Sequence, residues 1–156
     1  MRVYHTSNVA IEHPDVYHSR RALDFGKGFY LTRLRQQAEQ YGMRFKRMGD
    51  QAMLNVYELD EDIASFTIRR FGAYDGEWLD FIVACRREQP HKIYDFIEGG
   101  IADDKVFDTI DLYMQGIYDR EKALGELRYK QPNHQICITS QLLLDQRLHH
   151  LETIPL

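Results

Sequence analysis

The chain has 156 residues, of which 44% are hydrophobic and only four are proline, a composition typical of one globular domain and unlike a disordered or fibrous protein. Its formal net charge of −4 argues against a surface that binds nucleic acid as a whole, although Arg69-Arg70 and Arg86-Arg87 could form a local basic patch. The sequence contains neither an apolar run long enough to cross a bilayer nor the apolar core of a secretion signal, so we expect residues 1–156 to form one cytoplasmic domain without membrane contact.

Hydrophobic spacing in the N-terminal half predicts two strands followed by a helix. The predicted elements are a strand at 2–5, a polar loop at 10–23, a glycine turn at 24–28, a strand at 29–32 and a helix at 33–46. Thr32 is a suitable N-cap for this helix. Four residues at helical spacing would form its apolar face, namely Leu34, Ala38, Tyr41 and Phe45.

The C-terminal half predicts strands and helices that do not alternate strictly. The predicted elements are antiparallel strands at 53–59 and 66–71, a helix at 77–86, a strand at 92–97, helices at 105–118 and 120–127, a strand at 134–138 and a helix at 141–149. Thr139 or Ser140 would cap the last helix. This mixture indicates the α+β class.

Neither the cysteines nor the histidines show metal-ligand spacing. Cys85 and Cys137 lie far apart and outside any CxxC pair, so we expect both to be buried, reduced and structural. His149 and His150 are adjacent, and even with His134 they do not make a ligand set at useful spacing. The sequence therefore predicts no metal site.

Common nucleotide and hydrolase motifs are also missing. Gly26 and Gly28 begin a G-x-G-x-x-G pattern that Leu31 does not complete, and a helix does not open at these glycines. The chain has no P-loop, no G-x-S-x-G and no H-E-x-x-H. A Rossmann dinucleotide site is therefore not expected.

Three segments together carry a more specific pattern, namely YHTS at 4–7, GKGFYLT at 26–32 and QAEQYG at 37–42. In these segments the chain resembles ADP-ribosyltransferases of the His-Tyr-Glu group, which includes the diphtheria-toxin and poly-ADP-ribose-polymerase catalytic domains. Tyr41 follows Tyr30 by eleven residues, as in that group. The chain resembles more closely still an uncharacterised family of small bacterial proteins grouped with this fold, through YDFIEGGIADD at 94–104 and NHQICIT at 133–139. The resemblance implies a split, mostly antiparallel sheet with flanking helices.

The resemblance also implies an NAD site. His5 would bond a ribose hydroxyl, and the backbone of Thr6 would hold the nicotinamide carboxamide. Tyr30 and Tyr41 would sandwich the cationic nicotinamide ring, while Gly28 would let the backbone approach it closely. The strand of His5 would lie beside that of Tyr30, with Tyr41 on the helix above them. NAD would be the substrate, without a metal.

Gln135 is the main departure from the family pattern, because it stands where the resemblance places a catalytic glutamate. An amide can accept a hydrogen bond from the ribose, but it cannot oppose the positive charge that develops when nicotinamide leaves. Glu98, Asp103 and Asp104 are the nearest acids that could substitute.

Structural interpretations stand beside these functional ones. Taken singly, the tyrosines could be core aromatics, His5 a buried structural histidine, and Asp103 and Asp104 helix N-terminal charges. The arginine pairs could be solvated, or one arginine could contact the NAD pyrophosphate.

The predicted function is ADP-ribosyl transfer from NAD to a macromolecule, protein or nucleic acid, in the manner of a bacterial toxin or effector with a possible antitoxin partner. One alternative is a catalytically inactive module that binds NAD or ADP-ribose, which Gln135 favours. A second is a partner-binding protein whose aromatic pocket holds no nucleotide.

Overall fold

A computed structural model describes residues 1–102, 104–128, 130 and 133–156 and confirms the α+β class. The strands are β1 (Arg2–Ser7), β2 (Phe29–Leu31), β3 (Met53–Leu59), β4 (Ile68–Arg70), β5 (Phe96–Gly99), β6 (Gln135–Ile138) and β7 (Leu148–Pro155). The helices are α1 (Arg35–Arg47), α2 (Gly76–Arg86), α3 (Asp104–Met114), α4 (Arg120–Leu127) and α5 (Gln141–Arg147).

The strands form two sheets that meet at one point. Sheet A has the order β1-β3-β7 and is antiparallel throughout. Sheet B has the order β2-β6-β5-β4, and β4 runs parallel to β5, so the prediction that this strand is antiparallel was wrong. The backbones of Tyr4 in β1 and Thr32 after β2 exchange two hydrogen bonds of 2.8 and 2.9 Å. This bridge joins the sheets.

Sheet B separates two apolar cores. The first core lies between the sheets and includes Val3 and Tyr57 from sheet A with Phe29 and Phe96 from sheet B. The second core lies on the other face of sheet B, where α2, α3 and α4 cover it, and Trp78 is buried there. Neighbouring residues of a strand point to opposite faces, so β2, β5 and β6 each contribute to both cores.

The last strand, β7, was missed by the sequence prediction. Helix α5 ends at Arg147 and not at 149, because Leu148 already has an extended backbone. Strand β7 pairs with β3, but its register shifts between Val56 and Tyr57, which leaves Leu151 as an extra, exposed residue. Such a bulge interrupts the period-two pattern by which a strand is recognised in a sequence.

Helix α1 begins later than predicted and buries a different face. Its N-cap is Leu34 and not Thr32, because the Thr32 backbone is still extended in the bridge to Tyr4; the Thr32 hydroxyl does accept the Leu34 N–H. Ala38 is buried as predicted, but the other residue buried along the helix is Gly42. A Cβ on Gly42 would lie 2.6 Å from the Leu156 side chain, so the helix packs through its smallest residues.

The strand predicted at 92–97 is displaced toward its C-terminal end. The Asp95 carboxylate accepts hydrogen bonds from the N–H and the hydroxyl of Thr67, at 2.8 and 2.7 Å. These bonds hold the segment before Phe96 as a loop against β4. Ladder pairing with β6 therefore starts at Phe96 and runs to Gly99.

Candidate functional site

The three residues predicted to act in catalysis lie on three neighbouring strands. His5 is on β1, Tyr30 is on β2, and Gln135 begins β6, which pairs with β2 so that Tyr30 lies opposite Cys137. The strands therefore follow one another in space as β1, β2 and β6, although about 130 residues separate His5 from Gln135.

The His5 ring is held between the sheets. Its Nδ1 donates to the backbone carbonyl of Tyr30 at 2.7 Å, and the ring stacks on Phe29 with a centroid distance of 4.6 Å. Burial lowers the pKa of His5, although the Tyr30 carbonyl opposes this effect, so the neutral imidazole is favoured. Because Nδ1 carries the proton, Nε2 is the hydrogen-bond acceptor. Such a group can position a hydroxyl.

The Tyr30 ring lies on the opposite face of β2 from the His5 ring. It packs against the second core, and its hydroxyl donates to the Gly26 carbonyl at 2.5 Å and accepts from the Phe25 N–H at 3.1 Å. Burial raises the pKa of Tyr30, and the neighbouring Cys137 thiol raises it further by a smaller amount. The hydroxyl thereby closes the glycine turn. Gly26 itself has a φ of +78°, a conformation that favours glycine.

Gly28 and Thr6 both make close internal contacts. A Cβ on Gly28 would lie 2.6 Å from both the Cys137 Sγ and the Ile138 carbonyl oxygen, so glycine is needed for β2 to approach β6. The buried Thr6 hydroxyl donates to the Ala38 carbonyl at 2.6 Å and ties β1 to α1. Gly28 thus has a packing role and Thr6 a hydrogen-bonding role within the fold, and their contacts with NAD stay predictions.

Tyr41 is half-exposed on the outer side of α1. Its ring contacts the Phe45 ring edge-on, and the Arg44 guanidinium lies 5.2 Å from its centroid. The pairing of Tyr41 with Tyr30 around a nicotinamide ring stays a prediction.

Gln135 is buried where β6 begins, at one end of the strands of sheet B. Only 6% of the residue is exposed, and its amide nitrogen donates to the Gly100 carbonyl at 3.2 Å. Its register partner on β5 is Gly99, and the residue before that partner is Glu98. A nominated acid therefore lies on the strand next to Gln135, on the opposite face of the sheet.

An open cavity of about 450 Å³ lies at this end of sheet B, where β2, β4 and β5 end and β6 begins. Its lining consists of Arg33, Arg70, Phe71, Gly72, Glu98, Gly99, Gly100, Asn133 and His134. Glu98 was nominated from the sequence, and Arg70 belongs to one of the noted pairs. Arg33 and His134 were missed as site residues. Their signal is position, since each adjoins a strand end at the same sheet edge.

Three side chains surround the Glu98 carboxylate. Arg33 and His134 contact Oε1 at 2.9 and 2.8 Å, and Arg70 contacts Oε2 at 3.0 Å. Burial by itself would raise the pKa of Glu98, but the hydrogen bonds from His134 and Arg70 and the charge of Arg33 hold it below its ordinary value. Glu98 is therefore an anion held within a cluster of donors.

The bonds of His134 identify its neutral tautomer. The Arg33 backbone N–H points at His134 Nδ1 at 3.1 Å, so Nδ1 accepts and Nε2 carries the proton that is donated to Glu98. The Gln37 side chain bonds both the N–H and the carbonyl of His134, which fixes the residue to α1. With a neutral imidazole, two guanidinium groups face one carboxylate, and the cluster is net positive.

The other arginines of the two noted pairs have partners outside the cavity. Asp103 and the side chain of Asp104 fall outside the described residues. Arg69 pairs with Glu77. Arg86 pairs with Asp24 in a second, buried cluster, so a carboxylate offsets its charge. The local basic patch stays a prediction.

A family model described as "Protein of unknown function (DUF3990)" matches residues 1–150. The chain belongs to this family. Comparisons with curated proteins and with solved structures return no match. The seam of β1, β2 and β6 and the cavity beside it all fall within the matched DUF3990 residues.

Three further predictions concern the cysteines, a metal site and the membrane. Cys85 and Cys137 are buried and free, as predicted, and burial raises the pKa of each thiol to about 12. Among the described residues, no three His, Cys, Asp or Glu side chains are grouped so that they could hold a metal ion. None of the described helices has the length and apolar character needed to span a bilayer.

Proposed function

We propose that this protein binds NAD at the seam of β1, β2 and β6 and transfers its ADP-ribose to a macromolecular acceptor. The observation that carries the proposal is the adjacency of these strands, which bear His5, Tyr30 and Gln135 in the spatial order expected of a His-Tyr-Glu ADP-ribosyltransferase. Chain order alone does not demand this arrangement, because β6 follows β2 by more than a hundred residues.

In this proposal His5 positions the ribose. The neutral ring is fixed by its bond to the Tyr30 carbonyl and by stacking on Phe29, and Nε2 accepts from a ribose hydroxyl. Loss of nicotinamide breaks the bond from the ribose C1 to the ring nitrogen, whose electron pair leaves with neutral nicotinamide. The positive charge then passes to the ribose, and the acceptor's nucleophile forms the new bond to the ribose C1 and gives up its proton to solvent water, since the Gln135 amide cannot accept it.

The second candidate is a module that binds NAD or ADP-ribose without turnover, and the state of the acids favours it. Gln135 has no charge, and Glu98 already shares its charge with Arg33 and Arg70. A carboxylate whose charge is offset by two cations stabilises a cationic transition state less than a free one does.

The test is release of nicotinamide from NAD by the purified protein, with and without bacterial lysate as a source of acceptor. We expect release that Tyr41→Ala and His5→Ala abolish. Tyr17→Ala is the matched control, because Tyr17 is also an exposed tyrosine but lies in the loop before the glycine turn. Dependence on lysate would indicate transfer over hydrolysis.

Two other outcomes separate the candidates. No release together with saturable NAD binding that needs Tyr41 would reject the transferase and support the binding module. Neither release nor binding would reject both. Gln135→Glu should increase release if only the carboxylate is missing, although the new side chain would turn an acceptor toward the Gly100 carbonyl and cost about 1–3 kcal/mol of stability.

A further inference from the structure

We propose that the cavity at the strand ends of sheet B is a binding site for a phosphate group. In this proposal Glu98 is an internal counter-ion to the arginines, and its negative charge weakens the binding of an anionic ligand. This inference does not depend on the proposed transferase activity. It rests on the four charged or polar side chains that meet there, namely Arg33, Arg70, Glu98 and His134.

The first step is that the negative charge of the cluster is more deeply buried than the positive charges. The Glu98 side chain is 11% exposed, whereas those of Arg33 and Arg70 are 42% and 55% exposed. The carboxylate therefore lies at the base of the cluster, and the guanidinium groups lie nearer to solvent. A ligand that enters the cavity meets cations first.

The second step is the number of donors. A guanidinium has five N–H groups, and each contact with Glu98 involves one nitrogen, Nη2 of Arg33 and Nε of Arg70. Donors therefore remain on two planar groups that border one cavity. Phosphate oxygens suit paired guanidinium groups because each group offers parallel N–H bonds with a charge-assisted character.

The third step is the rigidity of the site. Gln37 fixes His134 from α1, and the Arg33 backbone bonds the His134 ring, so the first turn of α1 and the start of β6 are locked together. The Arg70 guanidinium also lies 5.5 Å from the Phe96 ring centroid. Preorganised donors lose little conformational entropy when a ligand binds.

The test is calorimetric titration with inorganic pyrophosphate at fixed ionic strength, with uncharged adenosine as the ligand control. We expect saturable binding of pyrophosphate, a loss of about fivefold or more in affinity for Arg70→Gln and Arg33→Gln, and no change for Arg120→Gln. Arg120 is the matched control, because its side chain is 47% exposed and pairs with Asp80 outside the cavity.

Glu98→Gln sharpens the test, because it should change the affinity for pyrophosphate in the opposite direction from the arginine variants. Removal of the counter-ion should tighten pyrophosphate binding by about fivefold or more, while a carboxylate with a purely structural role would leave the affinity unchanged or lower it. Circular dichroism checks folding, and if this variant does not fold the arginine variants decide the question. Absence of saturable binding, or an equal loss in Arg120→Gln, would overturn the inference.

Competition between pyrophosphate and NAD identifies the source of the phosphate. Competition would place the NAD pyrophosphate in the cavity, and independent binding would assign the cavity to a phosphate on another ligand, such as a nucleic-acid acceptor. Both results retain the site. Pyrophosphate binding without any nicotinamide release would reject the proposed transferase alone.

Discussion

Two carboxylate–arginine clusters flank sheet B and differ in how completely they are closed. In the glycine turn, Asp24 accepts two bonds from Arg86, at 2.6 and 3.0 Å, and one from the Ala102 N–H, and both side chains are less than 15% exposed. At the strand ends, Glu98 is equally buried, but its arginines extend to solvent. A closed cluster holds a turn in place, whereas an open one retains donors for a ligand.

The glycine turn and the open cavity lie at opposite ends of β2 and differ in the same way. The pattern GKGFYLT draws attention to the glycine turn, yet the Tyr30 hydroxyl is bonded within that turn and the Gly28 backbone packs on β6. The open cavity lies at the far end of the same strand, β2, directly before α1. The glycine turn thus supports the sheet from which the cavity is built.

The largest expected effect is on stability at the closed cluster. Asp24→Ala should lower the free energy of unfolding by about 3–5 kcal/mol, because it leaves the Arg86 guanidinium buried without its partner. Urea denaturation followed by circular dichroism measures this. Asp80→Ala removes the exposed partner of Arg120 and should lower the free energy of unfolding far less, because solvent screens an exposed ion pair. Equal losses would mean that the Asp24 cluster is no more closed than a surface pair.

A smaller loss is expected where the glycine turn meets β6. Gly28→Ala should cost about 1–3 kcal/mol, because the added Cβ overlaps the Cys137 Sγ and the Ile138 carbonyl. In Gly125→Ala the new Cβ meets nothing within 4 Å inside α4, and the change should stabilise the protein by roughly 0.5–1 kcal/mol. Urea denaturation measures both effects: the midpoint of Gly28→Ala should lie below that of the wild type, and the midpoint of Gly125→Ala above it. If Gly28→Ala matches the wild type, β2 can move away from β6 at little cost.

The smallest effect concerns pH at the open cluster. The pKa of Glu98 is lowered in the folded protein, so its contribution to stability is present above the ordinary value of 4.5 and is lost as pH falls from there toward the folded pKa. Glu98→Gln should therefore be less stable than the wild type at neutral pH, and the difference should shrink below pH 4.5. Urea midpoints of both proteins across this range measure the difference. A constant difference would show that the Glu98 charge contributes nothing.

Periodic patterns predicted most of the elements, and the errors have identifiable causes. Strand β3 and helix α4 have the predicted bounds, because one alternates regularly and the other lies between clear helix signals. Strand β7 escaped because the bulge at Leu151 breaks its period. The direction of β4 escaped as well, since parallel pairing with β5 depends on how the chain returns through α2.

The candidate site was predicted in part. The sequence named Gln135 and nominated Glu98, and in the structure they lie on neighbouring strands at one edge. It did not connect Glu98 with Arg33 or His134, which are separated from it by 65 and 36 residues. No local pattern encodes such a contact, because it arises only when β6 pairs in antiparallel register with both β2 and β5.

The sequence by itself determined the α+β class, the glycine turn, the burial of both cysteines and the residue types available for chemistry, because these follow from local periodicity and composition. Only the tertiary structure decided which face each side chain occupies and which charges meet. His5 and Tyr30 lie on opposite sides of β2, and Glu98 lies between two arginines, because strand order and register set these contacts. Contacts between distant segments depend on how loops close and sheets pair, which no short stretch of sequence specifies.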